Sequence, residues 1–123
     1  RPRSNTPLAA LTGLNETIFV EAAQALALRL WREGGASDES RIDLAYRLCT
    51  ARAARPAEQA AVRRLLTEAR GRLQRGELPA AEVAFSPRLK AADLPADATP
   101  AELAAWTLVA RVMLNLDETL TKN

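Results

Sequence analysis

The 123-residue chain contains no histidine, one cysteine, one methionine, two tryptophans and five glycines. Each shortage removes a class of chemistry. Without histidine there is no imidazole base, no imidazole metal ligand, no intrachain Ser-His-Asp or Cys-His arrangement and no CxxCH haem attachment. With Cys49 alone, no intrachain disulfide can form, and a thiolate metal cluster would need ligands from elsewhere. No long uncharged apolar run is present, so no transmembrane span is predicted and the chain is expected to be soluble. The first residue is Arg1 and the sole methionine is Met113, so the chain reads as a processed or excised piece whose targeting segment would lie upstream.

What is present points to helices. The length fits one hydrophobic core, and residues 1–123 are read as a single helical domain. Ser4, Asn5 or Thr6 can cap a short helix with Pro7 at its first position and Leu8, Leu11 and Leu14 on one side. Asn15 or Thr17 is expected to begin a longer helix that runs to Glu33 and stops at Gly34-Gly35. Its apolar arc holds Phe19, Val20, Ala23, Leu26, Ala27, Leu30 and Trp31, with Glu21, Gln24, Arg32 and Glu33 outside.

Ser37 and Asp38 cap a third helix, where Ile42, Ala45, Tyr46 and Cys49 share a face. Thr50 to Arg55 is a connector. Pro56 starts a fourth helix with Val62, Leu65, Leu66, Ala69 and Leu73 aligned and Gly76 as its stop. Residues Glu77 to Ala98, broken by Pro79, Pro87 and Pro95, keep no clean period and are expected to be the most mobile or adaptable part. Short helical turns fit at Ala80 to Phe85 and Leu89 to Leu94. The last helix has Thr99 as cap, Pro100 at its first position and Glu102 closing a Thr-x-x-Glu box. From Trp106 to Leu116 its only polar side chains are Thr107, Arg111 and Asn115, which predicts a central position. The fold class is therefore all-α, a compact bundle of about five helices with a long irregular connection before the last.

The charges nearly cancel, with 17 basic and 15 acidic residues and a net charge of +2, so they say little about partners. Arg63, Arg64, Arg70, Arg72 and Arg75 on the fourth helix invite a nucleic-acid reading. They point in three directions, however, and Glu68 can pair with Arg64 or Arg72, so a solvated face is the better reading. Asp117 and Glu118 are adjacent, about 100° apart on a helix, and cannot readily form a catalytic dyad. Asp117 on the buried side of a helix C-terminus needs a basic partner or hydrogen-bond donors, and Arg1 or Arg3 is expected to supply it. A calcium site at Asp117 lacks the ligand spacing of a binding loop. Cys49, Trp31 and Trp106 are read as core residues.

The opening Arg1-Pro-Arg-Ser-Asn-Thr-Pro-Leu-Ala-Ala-Leu-Thr, then Leu14-Asn15 and Phe19-Val20-Glu21-Ala22-Ala23, and the closing Ala105-Trp106 to Leu114-Asn115-Leu116-Asp117-Glu118 carry a resemblance that spans nearly the whole chain. The chain resembles the C-terminal domain of unknown function of large planctomycete and verrucomicrobial secreted proteins, the planctomycete surface or cytochrome-associated domain. It departs from that pattern at Ala9, Gly13, Glu16 and Thr119, where glutamine, leucine, aspartate and an aromatic are usual.

The resemblance implies a larger parent exported to the periplasm or cell surface, sometimes with a c-type cytochrome domain, and linked with polysaccharide degradation. The partners it implies are upstream domains of the same parent and polysaccharide. No residue is assigned as catalytic, cofactor-binding or metal-ligating, and no cofactor is expected in this chain. The candidate polar cluster is Arg1, Arg3, Asn5, Asn15, Arg111, Asn115, Asp117 and Glu118. The favoured reading is a non-catalytic structural or interaction module. The alternatives are a contribution to a composite glycan-binding or hydrolytic site and a nucleic-acid-binding bundle.

Overall fold

A computed structural model describes the backbone of residues 12–121 and the side chains of residues 16–116. Five α-helices follow one another: α1 (Thr12–Glu33), α2 (Asp38–Thr50), α3 (Pro56–Gln74), α4 (Ala80–Ala84) and α5 (Pro100–Thr121), with a 3₁₀ turn at Ala91–Asp93. The described residues contain no strand. The all-α bundle expected from the sequence is what forms.

The helix boundaries follow local chemistry. Ser37 Oγ accepts from Ser40 N at 3.0 Å and caps α2. Pro56 opens α3, where its missing N–H costs nothing, and Glu58 Oε1 accepts from Arg55 N at 2.8 Å. Gly35 and Gly76 take left-handed conformations just past α1 and α3, as their placement predicts. Ala51 closes α2 in the same conformation, with φ of 63°, an expensive choice for a residue with a Cβ.

One boundary differs from the sequence reading. The described helix is already continuous from Thr12, so Asn15 and Thr17 lie within α1 rather than at its start. Neither Gly13 nor Asn15 breaks a helix unaided, because each costs at most about 1 kcal/mol of propensity.

α5 is the central element: α1, α2, α3 and α4 all pack on it. Leu103, Ala104, Ala105, Trp106, Thr107, Val109, Ala110 and Met113 are buried. Thr107 satisfies its hydroxyl by donating to Leu103 O at 2.8 Å, which lets a polar side chain sit in the core. Against this helix pack Ala23, Ala27 and Leu30 of α1, Val62, Leu66, Ala69 and Leu73 of α3, and the predicted α2 face of Ile42, Ala45, Tyr46 and Cys49. Leu48, beside that face, is exposed. Trp106, the largest buried side chain, removes on the order of 200 Å² from water, an upper bound of about 5 kcal/mol.

The segment between α3 and α5 is locally structured. Short backbone turns at Ser86 to Leu89 and Pro95 to Ala98 join α4, the 3₁₀ turn and α5. Gln24, placed outside the apolar arc of α1 by periodicity, is instead buried, at 1% exposure. Its Nε2 donates to Val83 O at 3.0 Å and Phe85 O at 3.1 Å. The connection folds over that side of α1 and brings its own carbonyls, so burial there follows from a segment about sixty residues away.

Candidate functional site

The ionic residues of the described chain mostly clip helix ends together. Arg70, in the last third of α3, donates to Asp38 through Nη1 and Nη2 at 2.8 and 3.0 Å, and to Glu102 through Nε and Nη2 at 2.9 and 2.8 Å. Asp38 and Glu102 stand in the first turns of α2 and α5, where the helix dipole already favours an anion. One planar guanidinium thus ties three helices by two forked pairs. The hydrogen bond from Arg70 holds the Asp38 carboxyl below the usual carboxylate range against the opposing effect of burial. Asp38 and Glu102 hold the Arg70 charge above its ordinary pKa. Thr99 Oγ1 accepts from Glu102 N at 3.1 Å, the first half of the expected box, while the Glu102 carboxylate turns to Arg70.

A second clip fixes the α2–α3 connection. Arg52 forks onto Glu58 at 2.8 and 2.7 Å and lies 5.6 Å from the Tyr46 ring. Hydrogen bonds from Arg52 and from Arg55 N pull Glu58 down to about 2. Burial, helped by the Glu58 charge, pushes the Tyr46 phenol up.

The third is aromatic. Arg41 is buried with its guanidinium 3.9 Å from the Trp31 ring centre, and Trp31 Nε1 donates to Asp97 at 3.0 Å. Trp31, expected in the core, is only half-buried at its edge, unlike Trp106, and bridges α2 to the loop before α5.

Of the five α3 arginines, Arg70 is spent in the first clip. Arg72 and Arg75 reach Glu77 at 3.4 and 2.6 Å, so Arg72 turns to Glu77 rather than to Glu68. Arg63 and Arg64 are exposed.

A groove of about 740 Å³ lies between the starts of α2 and α3 and is lined in part by Ser37, Asp43, Gln59 and Arg63. Its polar groups are largely engaged in local structure. Asp43 accepts from Arg47 Nε at 2.9 Å and from Ala54 N at 3.0 Å, and these bonds hold its carboxyl below the usual range. Gln59 Nε2 donates to Glu39 O at 3.0 Å. The described residues contain no cluster of His, Cys, Asp or Glu arranged to hold a metal. None of their helices is long and apolar enough to cross a membrane.

Arg1, Arg3 and Asn5 of the sequence-derived polar cluster lie outside the described residues, as do the side chains of Asn15, Asp117 and Glu118. The expected pairing of Asp117 with Arg1 or Arg3 falls outside them as well. The two described members, Arg111 and Asn115, stand one turn apart on α5, half-buried and exposed respectively. Sequence reasoning missed Arg70, Arg41 and Gln24, whose partners all come from other elements. The only signal for the first clip was the pair of acids at helix starts, Asp38 and Glu102, which reads equally as capping.

Comparison with known proteins returns one family and no individual relative. No curated protein matches the chain, and neither does any solved structure. The model of the family described as PSD1, protein of unknown function (DUF1553), matches residues 1–66, which run from the first residue through α1 and α2 into α3. The chain belongs to that family.

Proposed function

We propose that this chain is a non-catalytic interaction module that completes a larger exported bacterial protein, and that its partner is the remainder of that parent. One observation carries the reading: the central helix does not finish its own burial. Through Leu103 to Ala110 α5 is enclosed, except for a partly open Leu108, yet Val112 is 45% exposed. Val112 and the partly open Leu108 one turn before it form an apolar strip on the helix against which the other four pack, and a neighbouring domain laid on it would complete the bundle. Ile18, 58% exposed on α1, is a second apolar contact available to such a neighbour.

Export to the periplasm or cell surface of a planctomycete-like bacterium, company with a cytochrome domain and a part in polysaccharide degradation belong to the same proposal. They are supported by the resemblance of the two chain ends. The module works without a cofactor of its own, any haem being carried upstream. Hydrogen–deuterium exchange tests the reading: the second half of α5 should be slower to exchange in the intact parent than in this chain alone. Equal exchange in both would contradict it.

A further inference from the structure

Leu108, Arg111, Val112 and Asn115 follow the i, i+3, i+4, i+7 spacing that puts side chains on one helix face. They form two adjacent rows, Leu108–Val112 and Arg111–Asn115, on the open half of α5. Rows of this kind accept the ridge of a second helix.

Arg111 is the unusual member. Arg29, Arg47, Arg52, Arg70, Arg72, Arg75 and Arg88 each lie within 3.4 Å of a carboxylate oxygen. Arg41, whose Nε is buried without a partner, stacks on Trp31 and donates from Nη2 to Trp31 O at 3.4 Å, and Arg32, Arg55, Arg63 and Arg64 are exposed to water. Arg111 is half-buried, and its Nε is buried without a hydrogen-bond partner. A buried Nε–H without an acceptor is costly, and among the described residues no carboxylate or aromatic ring is in contact with this guanidinium.

The chain itself is poorly placed to supply one. Residues 1–11 carry Arg1 and Arg3 and no acid. Asp117 and Glu118 follow six and seven residues later, beyond the i+3 and i+4 spacing of helical pairs. A second copy would bring its own Arg111 to the same patch, a like charge in place of the missing acid.

We infer that the Leu108–Arg111–Val112–Asn115 face docks an amphipathic helical segment whose apolar side carries a carboxylate at its edge, placed to pair with Arg111. This rests on the interaction-module reading and adds the chemistry of the partner. The apolar row supplies contact area, and the unpaired arginine supplies selectivity and register.

The test is an NMR titration of the isotope-labelled chain with three synthetic amphipathic peptides that share one apolar side and carry Glu, Gln or Lys at its edge. The Glu peptide should shift resonances of residues 108–116 and bind at least about tenfold more tightly than the Gln peptide. Arg111→Gln should abolish that preference, and Arg111→Glu should transfer it to the Lys peptide. Val112→Asp, at an exposed site that tolerates a polar residue, should abolish binding while leaving the spectrum folded. Absence of binding, shifts confined to another face, equal affinities, or an acidic preference that survives Arg111→Gln would each overturn the inference. Failure of the two readings is separable. If Arg111→Glu and Val112→Asp still associated with the remainder of the parent, this face would be wrong and the module reading would stand; no association by the unaltered chain would remove the module reading itself.

Discussion

Replacing Arg70 by methionine keeps the aliphatic stem packed and deletes both forked ion pairs. The side chains of Arg70, Asp38 and Glu102 are each about a third exposed, at 33, 31 and 29%. Their pairing therefore falls between a solvated surface pair, worth about 0–1 kcal/mol, and a buried one whose breakage costs about 3–5 kcal/mol. Helix dipoles continue to favour the two stranded carboxylates, which limits the loss. The expected cost is about 2 kcal/mol at neutral pH, or roughly 8 °C in Tm for a domain of this size.

Urea unfolding at several pH values checks the reasoning, because the effect has a defined sign. The folded pKa of Asp38 is depressed. Its contribution is complete above the unfolded value near 4 and is lost as pH falls through the lower folded value, so the curves of the two proteins should converge in acid. Adding Asp38→Asn and Glu102→Gln to Arg70→Met should recover part of the stability by removing the unpaired acids. A loss below about 0.5 kcal/mol for Arg70→Met, or one independent of pH down to about 3, would refute the three-helix clip.

Other perturbations separate the remaining supports. A Cβ at Gly34 would stand 2.5 Å from Leu30 O and 2.7 Å from Arg41 Cγ, whereas at Gly76 it would meet nothing within 4 Å. Gly34→Ala should therefore cost upwards of about 2 kcal/mol in denaturant unfolding and Gly76→Ala only about 1, while Ala51→Gly should gain a fraction of a kcal/mol. Gln24→Leu strands the carbonyls of Val83 and Phe85, so it should cost about 2 kcal/mol and speed amide exchange across residues 80–98. Glu58, with its folded pKa at about 2, contributes stability that is whole above its unfolded value near 4.5 and is lost as pH falls towards 2. Glu58→Gln should flatten that acid limb; an unchanged limb would show that the Arg52 pair is not made.

Local rules made much of the bundle readable. The α2 face of Ile42, Ala45, Tyr46 and Cys49 follows from 3.6-residue spacing, and Pro56, Gly76 and Thr99-Pro100 mark helix ends by steric and capping chemistry that needs no neighbour. The predominantly apolar stretch from Trp106 to Leu116, broken only by Thr107, Arg111 and Asn115, correctly placed α5 at the centre. What periodicity could not reach was set by distant chain. Gln24 is buried because the carbonyls of Val83 and Phe85 arrive over it. Arg70 rather than Arg63 or Arg64 is spent in a clip because two other helices begin beside it. Trp31 is half-open, its ring face taken by Arg41 and its N–H by Asp97, both from other elements. In the candidate site, the i,i+4 spacing of Arg111 and Asn115 was legible, but the buried and unpaired state of Arg111 Nε depends on packing that one helix wheel does not contain.

The most direct measurement is calorimetry of this chain against the separately expressed remainder of its parent, with a parallel titration of a sulfated oligosaccharide. An interaction module should bind the remainder tightly, with the negative heat-capacity change of apolar burial, and give no heat with the sugar. Sugar binding that disappears in Arg111→Ala, with no association between the two pieces, would contradict the account and move the function to a glycan site.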